Sequence, residues 1–402
     1  MTSITRGQGW IADTLVGLGG MDALFPDVQG CLEQYGHDHM DLARVFSRVK
    51  RASAFAKAWA TTASEVENRA RHAEKSGFQL SAKGLYLRAG LMYGRVIHSL
   101  FGDNPRKAAF HAKTIRCYEK VMQYNLTPIE RIIIPFEGKN LYGVLHLPEN
   151  AHQVPCAILV PGLDIYKEDL HTTAQNEYVP RGMAALCLDS PGQGETGLGG
   201  LKATLDNFER AGGAMIDHLA GRDEVDAEKI VVYGVSWGAY NGYRLAARDK
   251  RVKALCASMG SYVPPTRVLP EAPPGLTANF MHVTGCTDKE TFDQLAQRMN
   301  VMEMAHDIHC PTLLLNGEHD IMCPFEVTIA FFDRLDCPKE IRLYEDEFHS
   351  LGRIAFEVVA TAADWMLDKL KGDYDPKMDN RIFVTSQGDY LKGDAKPTWW
   401  GE

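Results

Sequence analysis

One stretch gives the clearest indication of the fold class: Ile230-Val231-Val232-Tyr233-Gly234-Val235-Ser236-Trp237-Gly238. An apolar run typical of a buried strand leads into a serine flanked by glycines, and residues 239–247 can continue as a helix. The glycines permit a tight turn that a side chain would block, so the serine oxygen is exposed where the strand ends. This context favours a nucleophilic Ser236 over the alternative, a turn serine that caps a helix.

Two polar side chains follow later apolar runs in the order that such a serine requires. A serine hydroxyl needs a base to accept its proton and an acid to orient that base. Asp320 follows the run at residues 313–315, and His349 follows the run at 341–344. Because the carboxyl ends of parallel strands meet at one edge of a sheet, Ser236, Asp320 and His349 are predicted to form a catalytic triad. Glu318 remains the alternative acid.

Short apolar runs alternate with helix-compatible segments from residue 129 onward, after a predicted hairpin at 132–147. These runs occupy residues 156–160, 184–188, 230–233, 252–257, 312–315 and 341–344. Such alternation predicts an α/β protein with a mostly parallel sheet and helices on both faces. The predicted division is a helical N-terminal or cap domain over 1–127, a catalytic domain over 128–372 with a lid insertion at about 260–305, and a C-terminal tail over 373–402.

The developing negative charge on a substrate oxygen would need backbone donors. The Trp237 N–H is predicted to be one donor, since it follows the serine. The other is assigned to the Leu163 N–H, in the Pro161-Gly162-Leu163-Asp164 loop that follows an apolar run. Pro-Gly is also an ordinary turn signal, so a plain turn remains the alternative. The loop at residues 189–195 is interpreted as a structural turn beside the pocket.

Composition excludes several functional classes. The 402 residues carry a formal net charge of -9, which argues against binding of nucleic acid through bulk electrostatics. No signal peptide or membrane span is expected. The nine cysteines include no C-x-x-C pair and several lie in apolar runs, which favours buried thiols in a reducing compartment over disulfides or a metal site. We therefore expect a cytoplasmic protein.

Together these motifs resemble a branch of the α/β-hydrolases. That branch contains 2,6-dihydroxypseudooxynicotine hydrolase, FrsA-like esterases and fungal polyketide-shortening hydrolases. The resemblance covers about residues 80–365 and rests on the segments at 85–89, 135–139, 161–164 and 189–195 and on the three triad positions. The triad motifs belong to the whole superfamily, whereas a helical region before the sheet, joined to Pro-Gly-Leu-Asp, is more specific to this branch.

The resemblance implies an α/β-hydrolase fold with a helical cap, a homodimer, no cofactor and a small-molecule substrate. It implies hydrolysis of a C–C bond beside a ketone, in an acyl-aromatic or diketone substrate, through an acyl-enzyme. Carboxylic-ester hydrolysis, acyltransferase or peptidase activity, and a non-catalytic interaction role stay open as alternatives. C–C cleavage would need a further acid, for which Glu168 and Glu271 are candidates.

The helical region is expected to form one wall of the substrate pocket. Tyr86, Tyr93 and His98 lie on a predicted helix there and could supply aromatic and polar contacts, and Asp164 is a further candidate contact. The alternative is that these helical side chains pack helix against helix or form a dimer surface.

Overall fold

Helices form the first part of the chain. The computed structural model describes residues 4–20, 27–100, 104–260, 262–270, 272 and 275–393. Before the first strand it contains α1 (Ile4–Gly19), α2 (Val28–Gln34), α3 (His39–Arg48), α4 (Phe55–Lys75), α5 (Gln79–His98) and α6 (Pro105–Tyr124). The start of α6 is encoded locally: the Asn104 side chain accepts the Arg106 N–H, and Pro105 occupies a first-turn position where a missing N–H costs nothing.

The strands of the described chain form a single ten-stranded sheet in the order β1-β2-β4-β3-β5-β6-β7-β8-β9-β10. They are β1 (Ile129–Phe136), β2 (Lys139–His146), β3 (Val154–Val160), β4 (Ala184–Asp189), β5 (Val225–Val235), β6 (Val252–Ser258), β7 (Thr312–Gly317), β8 (Lys339–Tyr344), β9 (Asp379–Val384) and β10 (Tyr390–Lys392). Strands β3 to β9 pair in parallel, while β1, β2 and β10 pair with their neighbours antiparallel.

The remaining helices connect the strands and cover both faces of the sheet. They are α7 (His171–Thr173), α8 (Gly194–Leu198), α9 (Asn207–Ala220), α10 (Trp237–Arg248), α11 (Pro265–Val268), α12 (Leu276–Thr284), α13 (Lys289–Gln297), α14 (Phe325–Asp333) and α15 (Ala355–Lys369). One large core packs on each face, and alternate residues of β3, such as Ile158 and Leu159, belong to opposite cores. This is the mostly parallel, doubly covered sheet that the alternation predicts, so the predicted fold class is confirmed.

A third core lies among α1 to α6 and reaches Val144 on β2. Its members include the fully buried Trp59 and Tyr93. Polar bonds also join the helices to the sheet: the Tyr118 hydroxyl lies 3.0 Å from His171 Nδ1 and 3.3 Å from His146 Nε2. The helical region is therefore packed onto the sheet through both apolar and buried polar contacts.

Two segments outside the regular alternation add to this framework. The stretch between β6 and β7, predicted as a lid insertion, carries α11, α12 and α13. Residues beyond 372, predicted only as a tail, supply β9 and β10 to the sheet edge. Among the described helices, none combines the length and apolar character that a bilayer-spanning segment needs.

Candidate active site

Ser236 lies in a sharp turn between β5 and α10. Its φ of 54° and ψ of -116° place a non-glycine residue in a strained conformation. The flanking glycines are required by close backbone packing, because a Cβ on Gly234 would overlap the Gly238 carbonyl oxygen. Likewise, a Cβ on Gly238 would overlap the carbonyl oxygen of Val160. The turn that the motif predicts is thus present, with the serine at its apex.

The structure brings the three predicted triad side chains together. Ser236 Oγ lies 3.0 Å from His349 Nε2, and His349 Nδ1 lies 2.9 Å from each carboxylate oxygen of Asp320. Asp320 is itself fixed, since its Oδ1 accepts the backbone N–H groups of Met322 and Cys323. This is the geometry in which a histidine can accept a serine proton while a carboxylate orients the ring.

The alternative acid, Glu318, has a different contact. One of its carboxylate oxygens accepts the Asp346 N–H at 3.0 Å. Both oxygens of Asp320, by contrast, face His349 Nδ1. Of the two candidate acids, the structure therefore pairs Asp320 with the histidine.

The loop that follows β3 lies directly beside Ser236. A Cβ on Gly162 would be 3.6 Å from the Ser236 Cβ and 3.3 Å from the Val235 carbonyl oxygen, so Leu163 begins next to the serine. On the other side of the serine, the Trp237 ring stacks on Tyr240 with centroids 4.5 Å apart. The two residues predicted to donate to an oxyanion therefore flank the serine on adjacent elements.

Sequence reasoning missed the role of Gln193, which it assigned only to a structural turn. The Gln193 side-chain amide donates to the Gly162 carbonyl oxygen at 2.5 Å and lies 3.3 Å from that of Leu163. These contacts hold the loop after β3 in place beside Ser236. The glutamine between two glycines in Pro191-Gly192-Gln193-Gly194 was the available signal, but its partner lies 31 residues earlier and cannot be inferred from spacing.

A buried ion cluster fixes the same two loops to each other. Lys167 Nζ lies 2.8 Å from Asp189 Oδ2, 2.8 Å from Glu168 Oε1 and 3.0 Å from Glu195 Oε2. Burial raises the pKa of Glu168 above its usual range, although the Lys167 charge opposes this. Glu168, a candidate substrate contact and acid, therefore lies in this cluster and pairs with Lys167; it is not among the residues that line the cavity described below.

Asp164 lies close to the triad and is paired with an arginine of α5. Arg95 donates to the Asp164 carbonyl oxygen at 3.0 Å, and its guanidinium lies 3.4 Å from the carboxylate. Burial works to raise the pKa of Asp164, but Arg95, His98, a backbone hydrogen bond and His349 together outweigh it and lower that pKa. The Asp164 charge in turn helps raise the pKa of His349. Asp164 is thus an electrostatic neighbour of the histidine.

A small cavity with a volume of about 30 Å³ opens beside Leu163. Its walls come from the ends of α5 and α6, the loops after β3 and β4, and α12, which lies in the predicted lid insertion. The lining includes His98, His111, Tyr166, Gln193 and Asn279. Of the helical side chains predicted to contact substrate, the structure places His98 on this wall.

Tyr86 and Tyr93 have other partners. The Tyr86 hydroxyl donates to Glu74 at 2.6 Å, and the Tyr93 hydroxyl donates to Glu67 at 2.8 Å. Both rings are buried in the helical core, so these contacts correspond to the alternative of helix-to-helix packing. Glu271, the other candidate acid, lies outside the described residues.

One group of possible metal ligands coincides with the triad. Donor atoms of Asp320, Cys323 and His349 all lie within 4.8 Å of one another. However, burial raises the pKa of Cys323 well above its usual range, and its thiol donates to the Met259 carbonyl oxygen at 3.2 Å. A metal ligand would need the thiolate. The chemistry of this set therefore fits a hydrogen-bonded triad better than a metal centre.

Comparison with known proteins agrees with this fold. Residues 37–272 match the Esterase FrsA-like family, and residues 213–373 match the Prolyl oligopeptidase family. A 2,6-dihydropseudooxynicotine hydrolase of Paenarthrobacter nicotinovorans is 27% identical, over 78% of this chain and 83% of its own length. An alpha/beta hydrolase, xenA, of Xenoacremonium sinensis is 30% identical over 51% of this chain and 50% of its own.

A solved structure gives the same answer for the fold. The crystal structure of a 2,6-dihydroxy-pseudo-oxynicotine hydrolase superposes with a TM-score of 0.77 at 23% identity, over 87% of this chain and 98% of that one. The resemblance predicted from the motifs is thereby confirmed. Because the family match spans more than half of the 402 residues, the chain belongs to the FrsA-like esterase family of α/β-hydrolases.

Proposed function

We propose that this protein is a serine hydrolase that cleaves a C–C bond beside a ketone in a small acyl-aromatic or diketone molecule, through an acyl-enzyme. The observation that carries the catalytic part is the chain of contacts from Ser236 Oγ to His349 Nε2 at 3.0 Å and from His349 Nδ1 to Asp320 at 2.9 Å. Such a chain activates a serine at neutral pH.

The proposed reaction begins when Ser236 Oγ attacks the substrate carbonyl carbon and His349 accepts the serine proton. The Leu163 and Trp237 N–H groups donate to the resulting oxyanion. As the tetrahedral intermediate collapses, the bond to the leaving group breaks, and His349 returns the proton to the leaving carbon. In this proposal His349 thus takes the part of the further acid expected from the sequence. Water then attacks the acyl-serine with His349 as base, which releases a carboxylic acid and restores Ser236.

The C–C assignment is supported by the 2,6-dihydropseudooxynicotine hydrolase, which aligns with 78% of this chain. A carbon leaving group departs well only when neighbouring oxygens stabilise its negative charge, and the cavity beside Leu163 presents several polar side chains. Carboxylic-ester hydrolysis is the second candidate, since the family match spanning residues 37–272 is described as an esterase. An ester needs no carbanion stabilisation, so the same triad would serve it.

Two measurements test this proposal. A fluorophosphonate probe is expected to label the wild-type serine but not Ser236→Ala, and the variant is expected to lose on the order of 10⁴-fold or more in kcat. Near wild-type turnover by Ser236→Ala would refute the triad. Incubation with matched aryl ketones and aryl esters, followed by mass spectrometry of the products, separates the two bond types. Absence of both labelling and turnover would favour a non-catalytic interaction protein.

A further inference from the structure

The cavity beside Leu163 contains polar atoms that the folded chain itself does not satisfy. His98 Nε2, His111 Nε2 and Gln193 Oε1 are buried and have no hydrogen-bond partner among the described residues. His111 is only 5% exposed and Gln193 only 2%. Since nearly all buried polar groups in folded proteins are hydrogen-bonded, three such atoms around one cavity indicate a site built for a polar ligand.

The two imidazoles are fixed in place by one aromatic ring. The His98 ring stacks on Tyr166 with centroids 4.5 Å apart and an interplanar angle of 16°. The His111 ring meets the same Tyr166 edge-on, at 6.2 Å and 88°. Because Tyr166 lies on the loop that begins beside Ser236, both imidazoles have a defined position relative to the serine.

Both imidazoles are uncharged at neutral pH. Burial, with a contribution from Arg95, lowers the pKa of His98 to about 3. Burial, with a contribution from Lys167, lowers the pKa of His111 to about 4. A neutral imidazole has one N–H donor and one acceptor nitrogen, so it can pair with a hydroxyl or a ketone oxygen. A cationic group in this buried cavity would be disfavoured, because its charge would have to leave water.

We propose that this cavity binds an uncharged, oxygen-bearing group of the substrate, a hydroxyl or a ketone, and that His98 and His111 are the residues that select it. The inference rests on the proposed function, because Leu163 both lines the cavity and is assigned to the oxyanion site. A methyl group in the same place would leave both imidazoles unpaired, and sites of this kind discriminate strongly against analogues that lack the hydrogen-bonding group.

The test uses the full-length protein and phenyl acetates and phenyl ketones that carry a hydroxyl, methyl or aminomethyl group at the ortho, meta or para position. At one ring position or more, the wild type is expected to prefer hydroxyl over methyl, and over aminomethyl, by about 100-fold in kcat/KM. His98→Phe and His111→Phe each keep a flat ring beside Tyr166 but remove the nitrogens. Each is expected to reduce this preference about 10-fold or more.

His218→Phe is the matched control. The Nε2 of His218 is also buried without a partner among the described residues, but it lies on α9 and does not line the cavity. This variant is expected to keep the wild-type preference. His98→Gln and His111→Gln, which retain a donor and an acceptor, are expected to recover part of it and cover the case in which a Phe variant does not fold.

The outcomes separate this inference from the proposed function. If no ring position shows the preference, or if it persists in both Phe variants, the inference is overturned. The proposed function is tested independently in the wild type and in His218→Phe by fluorophosphonate labelling and turnover of p-nitrophenyl acetate, which is expected to stay within about 3-fold of wild type in His218→Phe. Loss of labelling in the wild type would overturn the proposed function itself.

Discussion

His349 experiences opposing electrostatic effects. Burial disfavours the charged imidazolium, but the Asp320 and Asp164 carboxylates outweigh it and raise the pKa of His349. The proposed reaction needs the neutral ring, because only a neutral imidazole can accept the serine proton. Activity is therefore expected to fall as pH drops through a value above the ordinary imidazole pKa of about 6.5. Carboxylates near the ring are thus expected to set the acid limit of activity.

Asp164→Asn tests this electrostatic contribution. Removal of the charge lowers the pKa of His349, so the acid limb of the kcat/KM profile is expected to move to lower pH, measured from pH 4 to 9 with an activated ester. Asp346→Asn, a surface change away from His349 Nδ1, serves as the control and is expected to leave the limb in place. An acid limb in Asp164→Asn that coincides with wild type would show that Asp164 does not act on His349.

Asp320→Asn is expected to reduce kcat on the order of 10³- to 10⁴-fold, because an amide in that position stabilises the wrong tautomer of His349. Glu318→Gln is the matched control: its carboxylate accepts the Asp346 N–H, so the expected loss is less than about 10-fold. Steady-state rates of the two variants with one ester substrate decide which residue is the acid. The reverse order of losses would identify Glu318 as the acid.

The arrangement of Ser236, Asp320 and His349 could be predicted because each of these residues lies within a few residues of the end of a recognisable apolar run. The partners of Tyr86 and Tyr93 could not: helical spacing places both residues on α5, but nothing local shows that their hydroxyls reach Glu74 and Glu67 on α4. His98 lies on the same helix, but it lies in the last turn, where the end of α5 meets the cavity.

At the scale of elements, the short helix α2 packs against the loop that carries His349. A Cβ on Gly30 would overlap the Gly352 carbonyl oxygen, and a Cβ on Gly352 would overlap the Asp27 carbonyl oxygen. The Arg353 guanidinium also lies 3.1 Å from the Asp27 carboxylate. Because these contacts lie only a few residues beyond His349, α2 limits where the histidine loop can lie.

Gly30→Ala is expected to displace this loop and to lower kcat by about 10-fold or more, because small shifts of a catalytic group are costly. KM for a small ester is expected to change little, since the cavity is untouched. Gly84→Ala is the matched control, because a Cβ there meets nothing within 4 Å on helix α5. Equal rates for the two variants would show that α2 does not position His349.

Sequence patterns predicted the elements unevenly. Every central strand of the sheet coincides with an apolar run, because strands buried on both faces must be apolar throughout. Strand β9 (Asp379–Val384) escaped prediction because its first two residues are polar and exposed at the sheet edge. Helix α2 has only seven residues, too few for a periodic pattern to stand out, and its contacts are with a loop more than 300 residues later.

At the scale of the whole molecule, the helical region and the sheet share buried polar bonds. Gln34 donates to Thr173 Oγ1 at 2.8 Å, and Tyr118 reaches His146 and His171. Loss of such partners leaves buried groups unsatisfied, at about 1–3 kcal/mol each. The helical region is thus expected to stabilise the sheet as well as to cover the cavity.

This coupling predicts the behaviour of a chain that begins at Thr127. A region that served only as a lid would leave the triad intact after its removal, and small activated esters would still be cleaved at the full rate. The structure predicts otherwise, because Gly30 packs against Gly352 near His349, and His146 and His171 would lose Tyr118. The shortened chain is expected to melt at a lower temperature and to cleave p-nitrophenyl acetate about 10-fold more slowly or worse. Thermal unfolding followed by circular dichroism, with kinetics on the soluble fraction, provides the measurement. A folded product with wild-type turnover of this ester would instead show that the helices act as a lid alone.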